Sequence, residues 1–146
     1  MRKPGENPER IEHTHESFPV DVWQNYASPV WMDIKQSNTL QRTSARSEKD
    51  ERHICPLQLD VIQRCIELWT NEDDIVLDPF AGIGSSPYVA LTLNRRGIGF
   101  ELKDSYFQQM KNNLEIAAKK NENMGGYPVG QMNIFDFLGE NALCVS

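Results

Sequence analysis

A glycine-rich turn between an apolar run and a helical pattern constrains the fold of this chain more than any other feature. Residues 78–86 read DPFAGIGSS and end a short apolar run. Residues 84–94 then have the spacing of a helix, and a second short apolar segment ends at Glu101, 23 residues after Asp78. This order predicts two parallel strands joined through a helix, as in doubly wound α/β sheets. In such sheets, ligands bind at the carboxyl ends of the strands, where Asp78 and Glu101 lie.

The segments around this unit predict the other elements of the same fold. Residues 56–70 have apolar side chains at helical spacing, with Pro56 expected in the first turn of the helix. Residues 74–78 predict a buried parallel strand, and residues 97–101 predict a second. A long helix is predicted over residues 104–122. Two strands with short connections indicate only part of a doubly wound sheet.

The two ends of the chain have weaker patterns. Residues 128–137 could form a third strand after Gly125 and Gly126 stop the long helix. Residues 18–34 are interrupted by prolines and predict a loop with short turns, and residues 35–52 are polar and predict a mobile connection. Three tryptophans are expected in the core: Trp23, Trp31 and Trp69.

The predicted fold class is therefore α/β, a partial doubly wound parallel sheet with an irregular N-terminal segment. The predicted boundary separates that segment, residues 1–52, from an incomplete α/β domain at residues 53–146.

Length and charge indicate a single domain without an extended basic surface for nucleic acid. At 146 residues, the chain has the length of one ordinary domain. Residues 1–52 hold 8 Lys/Arg against 9 Asp/Glu, and residues 53–146 hold 7 against 12, so neither part is a cationic platform for nucleic acid. Any DNA contact is expected to be local or to lie elsewhere.

The spacing of the cysteines and the hydropathy of the chain bear on metal binding and on cellular location. The three cysteines form no CxxC pair, which argues against structural zinc or a disulfide framework, and no metal site is expected. No apolar run approaches the ~20 residues of a membrane span, and no secretory signal pattern begins the chain. These patterns predict a cytoplasmic protein without membrane contact.

The chemistry around the glycine turn favours one class of nucleotide-like cofactor. Gly82 and Gly84 allow a sharp turn and a close approach of the backbone to a ligand. Pro87 replaces the third glycine of a dinucleotide motif, and Asp78 would repel a pyrophosphate. A carboxylate at Asp78 suits a ligand with an ammonium group, and Glu101 can accept hydrogen bonds from ribose hydroxyls. S-adenosylmethionine has both features.

Three motifs in order resemble those of the amino-DNA methyltransferases, which methylate adenine N6 or cytosine N4. Residues 78–86 resemble their D-P-F-x-G-[ST]-G-[ST]-[ST] motif, and residues 99–106, GFELKDSY, resemble G-x-E-x-x-x-x-Y. Residues 53–59, HICPLQL, are similar to the H-x-x-K-P-x-x-L segment, with Cys55 in place of the common lysine and with one or two residues fewer after the His. Residues 27–34 are also similar to a segment that precedes these motifs in phage and bacterial modification methylases.

The resemblance implies a set of cofactor-binding residues. Asp78 and the backbone through Gly84 would hold the methionine end, Phe80 would pack near the cofactor, Glu101 would bind the ribose, and Pro56 would close the pocket. The complete set implied for S-adenosylmethionine is Pro56, Asp78, Pro79, Phe80, Gly82, Gly84, Ser85, Glu101 and Leu102.

The catalytic tetrapeptide of this family, [DNS]-P-P-[YFW], does not occur in the sequence. Its nearest match is SPVW at residues 28–31, which has valine at the third position and too short an interval before the next strand. No catalytic residue is therefore assigned. The chain is expected to be the C-terminal cofactor-binding part of a site-specific DNA methyltransferase and inactive alone.

Its expected partners are double-stranded DNA, contacted through a part not present, and a separate polypeptide with the catalytic half. Two other functions remain open: methylation of RNA, protein or a small molecule, and a non-catalytic module that binds the cofactor or a partner.

Overall fold

A parallel pair of short strands with a crossover helix forms the centre of the structure. The computed structural model describes residues 10–40 and 56–123. The elements in chain order are α1 (Val20–Tyr26), α2 (Leu59–Trp69), β1 (Ile75–Asp78), α3 (Ser85–Thr92), β2 (Arg96–Gly99) and α4 (Asp104–Asn123). The predicted β–α–β–α order is therefore confirmed. The predicted third strand at 128–137 and its preceding glycines lie outside the described residues.

Strands β1 and β2 pair in parallel, with Asp78 opposite Gly99 at their carboxyl ends. Helix α3 connects them and packs on one face of the sheet, where Pro87 contacts the backbone of β2. A Cβ atom added at Gly97 would lie 2.8 Å from the Pro87 Cα, so glycine allows this close approach.

The other face of the sheet is open among the described residues. Val76 packs against the core formed by α2 and α3, whereas Ile75 and Leu77 on the opposite face are 38% and 60% exposed. The prediction of a buried strand was therefore wrong for this face. The physical reason is that α3, which makes the helix contacts with both strands, lies on the side of Val76.

The main core cluster joins α2 to α3 through Ile62, Ile66, Val89 and Ala90. The helix of residues 56–70 begins only at Leu59, because Gln58 has extended backbone angles (ψ 133°) and occupies the N-cap position. Pro56 therefore precedes the helix, and the prediction that it lies in the first turn was wrong.

The prediction that all three tryptophans lie in the core was wrong for two of them. Trp69 ends α2 and is 73% exposed, and Trp23 on α1 is 53% exposed. Trp31 is half-buried, and its indole nitrogen donates a hydrogen bond to the Tyr26 carbonyl (3.1 Å). Trp31 thus has the partner that a buried indole requires.

Residues 10–40 form what we call the N-terminal strap, which lies along α2. The strap contains α1 where the sequence predicted only loop, because Pro19 acts as the N-cap and its fixed φ is compatible with the start of a helix. Arg64 of α2 is only 6% exposed, and its guanidinium lies 4.9 Å from the Tyr26 ring and 5.0 Å from the Trp31 ring. It also forms an ion pair with Asp33. These contacts attach the middle of the strap to α2.

The end of the strap is attached at the start of α2. The Lys35 backbone N–H and the Asn38 side chain donate to the two carboxylate oxygens of Asp60, at 2.9 and 2.6 Å. The Leu59 N–H donates to the Asn38 carbonyl (2.8 Å), and Leu40 is buried against Ile83. Residues 35–40 are thus anchored, contrary to the predicted mobile connection; residues 41–52 lie outside the described residues.

The attachment of the strap is expected to weaken in acid. The hydrogen bonds from Lys35 and Asn38 hold the pKa of Asp60 below its ordinary value of 3.8, and Arg64 lowers the pKa of Asp33 in the same way. A depressed carboxyl pKa contributes stability above the unfolded pKa, and that contribution disappears as the pH falls through the folded value. We therefore expect the unfolding free energy to fall over the acid range, as the pH drops from neutral to below the ordinary carboxyl pKa of about 4.

Urea titrations across this range test the expectation. Asp60→Asn should show a smaller loss of stability in acid than the wild type, and Asp21→Asn, a change of the same kind at an exposed site on α1, should match the wild type. Equal acid dependence in all three proteins would contradict a role for Asp60.

Helix α4 confirms the prediction of a long helix after the second strand and packs mainly on α3. In the described part of the chain, no helix is long and apolar enough to cross a membrane.

Candidate functional site

The loops that follow β1 and β2 are bonded together at the carboxyl end of the sheet. The Phe100 N–H donates to the Asp78 carbonyl at 3.0 Å, and the Ala81 N–H donates to the Phe100 carbonyl at 2.9 Å. These bonds extend the contact between the two strands beyond their last paired residues. The candidate site therefore lies on two loops with a fixed relative position.

Two glycines in left-handed conformations shape the turn before α3. Gly82 has φ +55° and Gly84 has φ +87°, a region that side chains disfavour. A Cβ atom at Gly84 would lie 2.6 Å from Met110 Cγ, whereas a Cβ at Gly82 would meet no described heavy atom within 4 Å. Gly84 is thus required for packing against α4, and Gly82 leaves open space next to the turn.

Glu101 bridges the glycine turn and the loop before α4. Its Oε2 accepts a hydrogen bond from the Gly82 N–H (3.0 Å), and its Oε1 accepts one from the Lys103 N–H (2.9 Å). A carboxylate has about four acceptor positions, so two of them stay available after these bonds. The side chain is therefore oriented by the backbone while it keeps the capacity to accept two hydroxyl groups.

Asp78 is oriented by its own loop. Its Oδ1 accepts a hydrogen bond from the Phe80 N–H at 3.0 Å, which is the geometry of an Asx turn. Within the described ranges, no hydrogen bond reaches Oδ2. One oxygen of this carboxylate thus stabilises the loop, and the other is available to a cationic group.

Exposed apolar side chains flank both carboxylates. Phe80 is 88% exposed, Phe100 is 43% exposed and Leu102 is fully exposed. Large exposed apolar side chains in the loops after two neighbouring strands are typical of a surface that binds a partly apolar ligand.

The remaining predicted site residues have less direct evidence. Pro79 is exposed next to Asp78, and Ser85 is half-buried in the first turn of α3. No described contact joins Pro56 to the glycine turn, although Leu59, three residues later, packs near Ile83. The structure thus brings together Asp78, Gly82, Gly84 and Glu101, and the assignment of the nine residues to a cofactor stays a prediction.

Two residues that contact the turn were not identified from the sequence. Asn113 of α4 is 7% exposed, and its side-chain amide donates to the Ile83 carbonyl at 2.8 Å. Leu40 of the strap packs against the Ile83 side chain. Asn113 lies three residues after Met110 and four before Ala117, both buried, so a polar residue on an apolar helix face was the available signal. Leu40 lies in a polar segment and had no such signal.

A family model described as DNA methylase matches residues 1–112. The chain belongs to the DNA methylase family. This result confirms the family resemblance of the three sequence motifs, all of which lie inside the matched range.

Curated relatives of this family member are bacterial methyltransferases. It is 36% identical over 102 residues to the type II methyltransferase M.HindIII of Haemophilus influenzae, a match that covers 66% of this chain and 32% of the relative. It is 30% identical over 127 residues to M1.MboII of Moraxella bovis, covering 80% of this chain and 48% of that protein. The chain therefore spans less than half of either relative.

A solved structure supports the same fold. The Thermus thermophilus protein TTHA0409, solved in complex with S-adenosyl-L-methionine, aligns with a TM-score of 0.57 and 25% identity. The alignment covers 80% of this family member and 42% of TTHA0409. The predicted α/β fold class is thus confirmed. No group of three or more possible metal ligands occurs among the described side chains.

Proposed function

We propose that this chain is the S-adenosylmethionine-binding part of a DNA methyltransferase that methylates adenine N6 or cytosine N4. The observation that carries the proposal is the bridge from Glu101 to Gly82, which places an oriented carboxylate next to an open glycine turn. Two acceptor positions on Glu101 match two ribose hydroxyls. The free oxygen of Asp78 matches the ammonium group of the methionine end.

The exposed apolar side chains would supply the remaining contacts to this cofactor. Phe80 and Leu102, which are both exposed, would cover apolar surface of the adenosine, and Pro79 with Ser85 would border the methionine end. Pro56 would cover the pocket from the segment before α2. The assignment of Pro56 rests on the family motif alone, and the other assignments rest on the family motifs and on the position of these residues in the segments that follow β1 and β2.

The methyl acceptor is proposed to be double-stranded DNA, because the chain belongs to the DNA methylase family and its relatives include type II methyltransferases. This membership favours DNA over RNA, protein or a small molecule. Such an enzyme would act in the cytoplasm of a bacterial or phage-infected cell, where restriction-modification takes place.

The catalytic tetrapeptide is proposed to come from sequence outside these 146 residues, on a catalytic-half polypeptide. Two features favour this arrangement. The sequence contains no [DNS]-P-P-[YFW], and the face of the sheet with Ile75 and Leu77 is uncovered among the described residues. Parallel sheets are normally covered on both faces, so further strands and helices would complete this one.

Calorimetric titration of the purified chain tests the binding proposal. S-adenosylmethionine should bind, and NAD, which shares the adenosine but has a pyrophosphate, should not. Binding of NAD with equal affinity, or no binding of S-adenosylmethionine, would contradict the assignment of the pocket.

The purified chain alone is expected to transfer no methyl group to DNA, because the tetrapeptide that would hold the exocyclic amine does not occur in its sequence. Incubation with labelled S-adenosylmethionine and mixed-sequence DNA measures this directly. Label in DNA above the no-protein background would show that the chain is catalytically complete.

A non-catalytic cofactor-binding module is the second candidate function, favoured by the missing tetrapeptide. Addition of a polypeptide that contains the catalytic half of a related methylase separates the two functions. Methyl transfer that requires both polypeptides supports the enzyme fragment, and cofactor binding without transfer in the mixture supports the module.

A further inference from the structure

The central residue of the glycine turn is held by two elements that are remote from it in sequence. Ile83 lies between Gly82 and Gly84 and is only 5% exposed. Its carbonyl accepts a hydrogen bond from Asn113 of α4, and its side chain packs with Leu40 of the N-terminal strap. The conformation of the turn thus depends on both elements.

The contact from α4 is specific and buried. Asn113 donates through Nδ2 to the Ile83 carbonyl at 2.8 Å, while its Oδ1 accepts from Gln109 Nε2 at 3.1 Å. Both ends of the amide are therefore satisfied, which fixes its orientation. Loss of the donor would remove the partner of the Ile83 carbonyl in a buried place, where an unpaired acceptor is unfavourable.

The contact from the strap is apolar and anchored nearby. Leu40 is 9% exposed and shares its cluster with Ile83, with Leu59 and Tyr88 packed around them. Two residues earlier, the backbone of Asn38 accepts the Leu59 N–H and its side chain bonds Asp60. The position of Leu40 is therefore set by bonds to the first turn of α2.

We propose that Asn113 and Leu40 are positioning residues that set the geometry of the Gly82–Gly84 turn for the cofactor. The proposal rests on the proposed binding of S-adenosylmethionine at this turn. Displacement of Ile83 moves the Gly82 N–H, which is the donor that orients Glu101. The N-terminal strap and α4 therefore determine cofactor affinity although neither Leu40 nor Asn113 touches the ligand.

The test uses Asn113→Leu and Leu40→Ala in the full chain. Asn113→Leu keeps the number and branching of the side-chain heavy atoms while it removes the donor, and Leu40→Ala removes the apolar contact from the other side. The difference in helix propensity between Asn and Leu is matched by the control on the same helix. The matched controls are Asn112→Leu, at an exposed position of α4, and Met32→Ala, at an 89% exposed position of the strap. Calorimetry at a temperature where all five proteins are folded gives the dissociation constant for S-adenosylmethionine.

Each test variant is expected to raise the dissociation constant about tenfold, and the controls are expected to match the wild type. A second readout needs no ligand. Amide hydrogen exchange at Gly84, whose N–H donates to the Ala81 carbonyl at 2.7 Å, should accelerate about tenfold in both test variants. Exchange at Thr70, bonded to Ile66 at the end of α2, should not change.

The outcomes separate this proposal from the proposed function. A wild-type chain that does not bind S-adenosylmethionine overturns the proposed function. If both variants bind the cofactor with wild-type affinity and show wild-type exchange at Gly84, the positioning role is overturned and the proposed function is not. Equal acceleration at Gly84 and Thr70 would also overturn it, because general loss of stability affects both sites.

Discussion

Replacing Glu101 with alanine is expected to weaken binding of S-adenosylmethionine by at least about 100-fold. The substitution removes the proposed acceptor for two ribose hydroxyls, and hydrogen bonds to a charged group contribute about 1.5–3 kcal/mol each. It also removes the bridge between the Gly82 and Lys103 amides, so the turn loses an oriented contact in the free protein. Isothermal titration of the purified variant measures the loss.

Asp78 allows a finer experiment at the same site. Asp78→Asn keeps an oxygen for the Phe80 N–H and removes the charge, whereas Asp78→Ala removes both. We expect weaker binding in both variants, with the larger loss in Asp78→Ala.

Glu115→Ala is the control for these variants, since Glu115 is an exposed glutamate on α4 that should not affect affinity. Intact binding in both Asp78→Ala and Glu101→Ala would reject the cofactor assignment.

Replacing Gly97 with alanine is expected to lower the free energy of unfolding by about 3 kcal/mol, the upper part of the usual range for an overpacked core. The added Cβ would lie 2.8 Å from the Cα and Cβ of Pro87 and 2.9 Å from its carbonyl oxygen. Two of these atoms are backbone, so α3 would have to move away from the sheet. Pro87 is fully buried in this contact. Urea denaturation followed by circular dichroism gives the change.

Gly82→Ala is the matched control for the clash. The same methyl group meets open space there, but the φ of +55° places alanine in a strained region that costs about 1–2 kcal/mol. Gly97 is not among the glycines with positive φ, so a larger loss of stability in Gly97→Ala than in Gly82→Ala reports the steric effect. A Gly97→Ala protein as stable as Gly82→Ala would contradict the close packing of α3 on β2.

Elements that depend on local patterns were predicted well. The strands at β1 and β2, the crossover helix α3 and the long α4 follow from short apolar runs, a glycine turn and helical spacing. The adjacent placement of Asp78 and Glu101 followed from a topological rule, because parallel strands end at the same edge of a sheet. The start of α2 was misplaced at Pro56, since a proline near a helix can precede it by several residues.

The burial of individual side chains was predicted less well. Arg64 is buried because two aromatic rings and Asp33 from the strap surround it, and none of these lies near it in sequence. Trp69 is the last residue of α2 and is exposed, although its apolar ring predicted a place in the core. A large apolar side chain favours burial, but the sequence does not show whether another segment of the folded chain packs against it.

The sequence by itself determined the α/β class, the glycine turn and the two carboxylates that mark a cofactor-binding edge, because each depends on residues close together along the chain. Only the tertiary structure decided that the strap lies on α2, that Asn113 and Leu40 hold Ile83, and that one face of the sheet is open. Those features arise from contacts between segments about 30 to 43 residues apart. Side-chain hydrogen bonds and packing over such separations have no local pattern, so they become visible only when the chain is folded.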